Sequence, residues 1–243
     1  MAQLDSPKVT IERRSIILNK KYLYRVYMSF YRIFKTYSKK LPKGKMVELG
    51  SGAGFLKEVI PSVITSDVLK LPFCDMKFPA EKIPFKNSSV SVFYLLNTFH
   101  HIKNPKKALS EMERCLKRKG KIIMVEPANT PLAKFIYTNF HHEYFSDKEN
   151  WSVRGKGALS DSNQALAWII FVRDRKKFQK LFPNLKITKY ETHTPLNYLV
   201  SGGFKYPSLL PPWAYTLIEK TEFLLKNTNK TIGLFSTVVI TKH

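Results

Sequence analysis

Four polar side chains each close a short apolar run of this chain: Glu48, Asp67, Asn97 and Glu126. Between the first two lies Met46-Val47-Glu48-Leu49-Gly50-Ser51-Gly52-Ala53-Gly54-Phe55, a buried strand, a glycine-rich turn and the start of a helix. Glycine leaves the backbone free to take unusual dihedrals and lets a ligand lie against the main chain. The helix expected over 55–60, ended by Pro61, would add free N–H groups at its N-terminus. The spacing Gly50-x-Gly52-x-Gly54 departs from the G-x-G-x-x-G of dinucleotide sites. Asp67 follows Glu48 by nineteen positions. A carboxylate there can accept from both hydroxyls of a ribose. Loop N–H groups can take a ligand carboxylate, and Glu48 can favour an ammonium. Together these types suit an adenosyl ligand that carries an amino acid. If that ligand is a sulfonium methyl donor, its thioether leaves neutral, and the protein has chiefly to align the reactants and exclude water.

A second group follows the last strand end. His141, His142 and Glu143 are the candidates for a general base, since an imidazole titrates near neutrality and oxygen methylation gains from removal of the acceptor proton. The alternative is an ordinary packing or surface pair. Adjacent histidines rarely aim the same way on a regular element, so no metal is expected there. Cys74 and Cys115 lack partners at metal-ligand spacing, which argues against a zinc site or a disulfide framework and for a reducing cytoplasm.

The elements that must hold these groups follow from pattern. Short apolar strands are expected at 46–49, 63–67, 76–78, 90–96 and 121–125, with a helix over 105–119 that Gly120 caps. Strands alternating with helices predict a mostly parallel α/β sheet, which binds ligands beyond the C-terminal strand ends. Further on, helices at 173–182 and 213–225 and strands at 185–190 and 234–241 complete the chain. The first ten residues look loosely attached, and 15–38 has a helical period with Leu23, Val26, Tyr27, Phe30, Phe34 and Tyr37 on one face.

Charge is the compositional oddity. The net charge is +23, and between Lys8 and Lys45 twelve Lys or Arg stand against one acid, Glu12. Such a balance attracts polyanions, or merely solvates the surface. A basic helix rich in Tyr and Phe can lie in a membrane interface or cover a cleft with its apolar face. Nucleic acid is a possible but not favoured partner, because no base-reading motif accompanies the charge. No apolar run approaches the length of a membrane span, and the N-terminus has no signal-peptide core. A cytoplasmic protein is expected, with peripheral contact at the inner membrane face as the alternative.

Residues 45–127 resemble a class I S-adenosylmethionine-dependent methyltransferase. Val47-Glu48-Leu49-Gly50-Ser51-Gly52-Ala53-Gly54 is similar to that family's first motif, and Asp67 to its ribose-binding acid. Ile83-Pro84-Phe85, then His100-His101-Ile102-Lys103-Asn104-Pro105, then the run from Leu109 to Lys121, resemble the subgroup typified by quinone-biosynthesis methyltransferases. The resemblance implies a doubly wound, mostly parallel seven-stranded sheet whose last strand is antiparallel. It implies S-adenosylmethionine held by Glu48, Gly50, Ser51, Gly52, Gly54, Asp67 and Asn97. The subgroup's usual adenine-reading Asp is Pro79 here, so that role passes to the backbone of Ala80, to Glu81 or to Asp75. The usual Phe-Asp opening the fourth strand is Val90-Ser91, and the usual Pro-Gly-Gly before the fifth is Arg118-Lys119-Gly120.

The domain is then 45–243, behind a basic helical segment over 1–44. Insertions at 128–172 and 193–212 are expected to form the acceptor pocket, with Tyr198 and Trp151 in its wall and the polar run 160–164 nearby. The expected activity is methyl transfer to a small molecule, at oxygen of a lipid-linked, glycan or aromatic acceptor. An RNA methyltransferase is the alternative, although the Asn/Asp-Pro-Pro-aromatic motif of base-amine methylation is missing. A non-catalytic scaffold is the third class.

Overall fold

The structure is a computed structural model that describes residues 5–153, 155, 157 and 161–243. Two helices open it, α1 (Pro7–Asn19) and α2 (Lys21–Tyr37). A seven-stranded sheet follows: β1 (Lys45–Leu49), β2 (Val63–Asp67), β3 (Met76–Lys77), β4 (Val90–Leu96), β5 (Leu116–Pro127), β6 (Leu185–His193) and β7 (Phe235–Lys242). Its order is β3-β2-β1-β4-β5-β7-β6. Strands β1 to β5 pair in parallel, and β7 runs antiparallel between β5 and β6. This is the doubly wound sheet with an antiparallel last strand that the sequence led us to expect. Among the described residues no helix is long and apolar enough to cross a membrane.

The central strands are buried on both faces, so they read as apolar runs rather than alternating ones. Successive side chains still divide between two cores, as the period of a strand requires. Phe93 and Leu95 of β4, with Ile122 and Met124 of β5, face α3 (Pro105–Cys115) and the segment 165–187. Val92, Tyr94, Ile123 and Val125 face α2 and α4 (Pro131–Asn139). The 165–187 segment holds α5 (Leu166–Trp168), a π-turn at Ile169–Arg173 and α6 (Arg175–Leu181). After β6 come α7 (Asn197–Ser201), α8 (Tyr215–Leu224) and α9 (Asn229–Ile232).

Several local expectations are corrected. The helix over 55–60 is a single 3-10 turn, Leu56–Glu58, because Pro61 leaves too few residues to repay helix nucleation. The helix before β5 ends at Cys115. Gly120 does not cap it; the chain turns at Lys119, whose φ is 63°, and the pairing register of β5 on β4 shifts across this bulge. Residues 7–10 are helical and attached: Thr10 is 3% exposed. The single helix over 15–38 is two helices that break at Lys20. The Lys20 ammonium donates to the carbonyls of Gly203, at 2.6 Å, and Tyr206.

Helix α2 gives its apolar face to the protein interior. Leu23, Val26, Phe30, Tyr31 and Phe34 are all fully buried there. At roughly 1.5–3 kcal/mol for each buried large side chain, this face is a large part of the second core. Its basic neighbours are tied inward too. Arg25 donates to the Pro212 carbonyl at 2.8 Å and lies over the Tyr215 ring, while Arg14 donates to the Gly54 carbonyl and lies over Phe73.

Candidate active site

One cavity of about 440 Å³ opens at the C-terminal ends of β1, β2 and β4. Its floor is the glycine turn. Gly50 and Gly52 have φ of 64° and 49°, values that side-chain-bearing residues rarely adopt. A Cβ on Gly50 would collide with Thr98, and one on Gly54 with the Tyr31 hydroxyl. A Cβ on Gly52 would meet nothing closer than 3.9 Å and would project into open space, so the bare backbone there is available to a ligand. The turn is held from three sides. Ser51 N–H donates to the Ser66 carbonyl at 2.9 Å, Gly52 N–H to the Asp67 carboxylate at 2.9 Å, and Phe55 N–H to the Tyr31 hydroxyl at 2.9 Å.

Asp67 also accepts from Leu69 N–H at 2.8 Å, and burial raises its pKa. Asn97 adopts φ of 49° at the end of β4. Its Oδ1, with Ser51 Oγ and Glu48 Oε2, is buried and has no hydrogen-bond partner among the described residues. Burial pushes the Glu48 carboxyl up to about 7. Unpartnered buried polar atoms call for an explanation, and a polar ligand that fills the cavity is one.

The opposite wall is built by the chain after β5. Glu126, fully buried at the end of β5, accepts from Thr98 and Phe99 N–H, both at 2.8 Å. His100 Nδ1 lies 2.6 Å from Glu126 Oε2, and His100 Nε2 lies 3.3 Å from Glu143 Oε2. Burial alone would lower the His100 pKa, but the two carboxylates outweigh it and push it up to about 10. Glu143 is partly buried, and His100, His101 and His141 hold its carboxyl well below the usual range. Burial and the His100 charge take His101 down to about 4. Gln164 bridges the next pair: its amide nitrogen lies 3.1 Å from Glu143 Oε2 and 2.6 Å from His141 Nδ1. Its Nε2 must donate to the carboxylate, so His141 Nδ1 accepts, and the neutral ring carries its proton on Nε2.

A family model described as a methyltransferase domain matches residues 44–124. That segment, a third of the chain, is similar to a methyltransferase domain. A protein of Methanocaldococcus jannaschii is 32% identical to the chain over 96 residues, a match that spans 45% of that relative's length. Among solved structures, a Thermotoga maritima S-adenosylmethionine-dependent methyltransferase, described as a possible histamine N-methyltransferase, superposes with a TM-score of 0.56 and 18% identity over 98% of each chain. Geranyl diphosphate C-methyltransferase of Streptomyces coelicolor gives 0.54 and 13%, covering all of this chain and 84% of its own. Both likenesses establish the class I methyltransferase fold. The subgroup resemblance seen in the sequence has no counterpart in these matches.

The cavity gathers most of the residues singled out in the sequence. Gly50, Ser51, Gly52, Gly54, Asp67, Ala80, Glu81 and Asn97 line it, as do His141, His142 and Glu143. Glu48 does not: its Oε1 lies beneath Gly54. Asp75 is removed from the adenine set, because it holds Lys57 Nζ and the Thr65 backbone and hydroxyl, away from the cavity. Trp151 is no pocket wall either; its indole N–H donates to Asp174 at 2.8 Å and its ring packs on the core. Ser160 lies outside the described residues. The expected loop donors are also largely taken, since the N–H groups of Ser51, Gly52, Gly54 and Phe55 are bonded within the chain. Sequence reasoning gave no chemistry to His100, His101 or Gln164. The signal for the first two was there: they follow β4, whose neighbouring strand β5 ends on Glu126.

Proposed function

We propose that this chain transfers the methyl group of S-adenosylmethionine to an oxygen of a small molecule. The observation that carries this reading is the continuity of one cavity from the glycine turn and Asp67 to the His–Glu wall. The cofactor supplies an electrophilic methyl on a sulfonium whose thioether leaves without help. Asp67 keeps free lone pairs for a ribose, and Ala80 with Glu81 flanks the adenine end. Asn97 Oδ1 and Ser51 Oγ meet the polar groups of the amino-acid end, while Glu48 counters its ammonium from beneath the loop. The acceptor takes the half walled by Tyr137, Tyr198 and the histidines.

The base is best sought at His142. His141 is committed through Nδ1 to Gln164, and the histidines around Glu143 keep it ionised and weakly basic. The His142 side chain is 58% exposed, and its nearest charged partner is Glu143 at 3.8 Å. Calorimetry with S-adenosylhomocysteine tests the donor half: stoichiometric binding is expected, and its absence would favour a scaffold. With an acceptor in hand, His142→Ala should lower turnover at least tenfold and leave cofactor affinity unchanged. Unchanged turnover would remove His142 from the mechanism.

A lipid-linked acceptor at a membrane surface is a second reading. Its support is no longer α2 but the exposed apolar chain of Tyr206, Leu209, Trp213 and Leu217, with Lys205 and Lys220 beside it. Anionic vesicles should float the wild type and not a Leu209→Ser/Trp213→Ser variant; equal flotation would exclude this surface.

A further inference from the structure

We infer that His100, His101 and Glu143 form a binding site for one divalent first-row transition-metal ion in the acceptor half of the cavity. No metal is expected from the sequence: adjacent histidines are weighed as ligands only at His141 and His142, and on the assumption of a regular helix or strand. His100 and His101 instead sit on the short 3-10 turn Phe99–His101. There both rings can face the same carboxylate, their centroids 4.2 Å apart.

Three features make the cluster a metal site rather than a contact. The first is convergence. One ligand atom from each residue lies within 4.8 Å of the other two. His100 Nε2 is 3.3 Å from one Glu143 oxygen and His101 Nε2 is 4.0 Å from the other. Ligands about 2.0–2.2 Å from a metal stand about 3–3.5 Å apart, so a small turn of the Glu143 side chain closes the set.

The second feature is the outer layer. A histidine that ligates through one nitrogen normally donates its other N–H to a carboxylate or a backbone carbonyl. Here His100 Nδ1 is 2.6 Å from Glu126 Oε2, and His101 Nδ1 is 3.2 Å from the Asp161 carbonyl. The Asp161 carbonyl and the Glu126 carboxylate both face Nδ1, so each imidazole turns Nε2 toward Glu143. On His100 the metal would displace the proton that Nε2 shares with Glu143, so binding releases a proton. Glu126 is itself anchored by the Thr98 and Phe99 N–H groups, and the Asn163 N–H donates to the His100 carbonyl at 2.9 Å, so the turn is held on both sides.

The third feature is charge. In a chain of net charge +23, the cluster places the fully buried Glu126 and the partly buried Glu143 next to two imidazoles. Two imidazoles and one carboxylate on one side of an ion leave its other positions open, a donor set that suits Zn²⁺, Mn²⁺ or Fe²⁺ better than Mg²⁺. All three residues line the cavity, so an ion held by them would be within reach of an acceptor there. Resting on the methyl-transfer reading, the ion's role is to take an acceptor hydroxyl as ligand and lower its pKa. The O–H bond breaks, its proton passes to water or His142, and the oxygen keeps the electron pair. Nothing is oxidised or reduced.

The test uses the full chain stripped of metal by chelation and dialysis. Calorimetric titration with Zn²⁺ and with Mn²⁺ should show one equivalent of at least one of them bound, confirmed by metal analysis after gel filtration. His101→Ala and Glu143→Gln should each weaken binding at least tenfold. Calorimetry with S-adenosylhomocysteine on the same samples reports folding and the donor half separately. Cofactor binding without metal binding overturns the site and leaves the methyltransferase reading standing. Metal binding without cofactor binding does the reverse. Undiminished metal binding in both variants also overturns the assignment, since the ion would then lie elsewhere.

Discussion

The two halves of the cavity are made in different ways. The proposed donor half is local: a turn of three glycines, with the side chains of Ser51, Asp67 and Asn97 set at the strand ends beside it and hydrogen bonds between neighbours in the sheet. All of it falls between residues 48 and 97, inside the matched 44–124 segment. The acceptor half is side chain. Its residues come from α1, α2, the turn after β4, and the segments after β5 and β6, so that Thr10, Tyr137, Gln164 and Phe204 meet across the whole chain. A cofactor common to many enzymes can be bound by main-chain geometry that a short motif specifies. An acceptor particular to one enzyme is bound by whatever the rest of the fold brings there.

The comparison can be broken at the support the halves share. Phe30 of α2 is fully buried and packs on Phe235, which lines the cavity. Phe30→Ala should cost about 3–5 kcal/mol of stability. Denaturant unfolding checks this, and a loss under 1 kcal/mol would mean that α2 is only loosely attached. Within the donor half, Asp67→Ala removes the carboxylate that ties Gly52 and Leu69 and that the proposed function assigns to the ribose. S-adenosylhomocysteine affinity should fall roughly 100-fold, about 2.7 kcal/mol, while the inferred metal affinity stays within twofold. A parallel loss of metal binding would show that the halves are not separable.

Glu48 supplies a pH signature. Its carboxyl titrates at about 7 when folded, against an ordinary 4.5. The folded state therefore holds the proton more tightly. The stability this confers is complete below about 4.5 and is lost as pH rises through about 7. A cationic ligand favours the ionised form, so cofactor affinity should rise several-fold between pH 6 and 8, and Glu48→Gln should flatten that rise. A slope that survives the substitution would assign it to another group. The smallest effect is expected at Asp75, which is outside the cavity: Asp75→Asn should leave cofactor affinity within twofold.

How far the sequence could be read follows the same division. The placing of Gly50, Gly52 and Asp67 in one cavity was legible because it depends on spacing along adjacent strands. Asp75 misled, since spacing alone does not show that Lys57 and Thr65 already hold it. The 55–60 helix misled because its apolar pattern said nothing of how little chain Pro61 left for it. The pairing of Glu126 with His100, and of Gln164 with His141, joins residues more than twenty positions apart through loops without periodicity. That is tertiary information, which no local pattern carries.

Tyr31 shows where this molecule can and cannot be cut. Its hydroxyl takes the Phe55 N–H and closes against Gly54, while its ring lies edge-on to Phe55, 5.1 Å between centroids. The family segment begins at residue 44, yet the prop beneath its glycine turn stands thirteen residues earlier, on a helix that also seals one face of the sheet. The unit that evolution repeats and the unit that folds thus have different edges. A fragment trimmed to the family boundary would keep every motif glycine while exposing Phe55, Val92 and Tyr94 to water, and would lose the shape that makes those glycines useful.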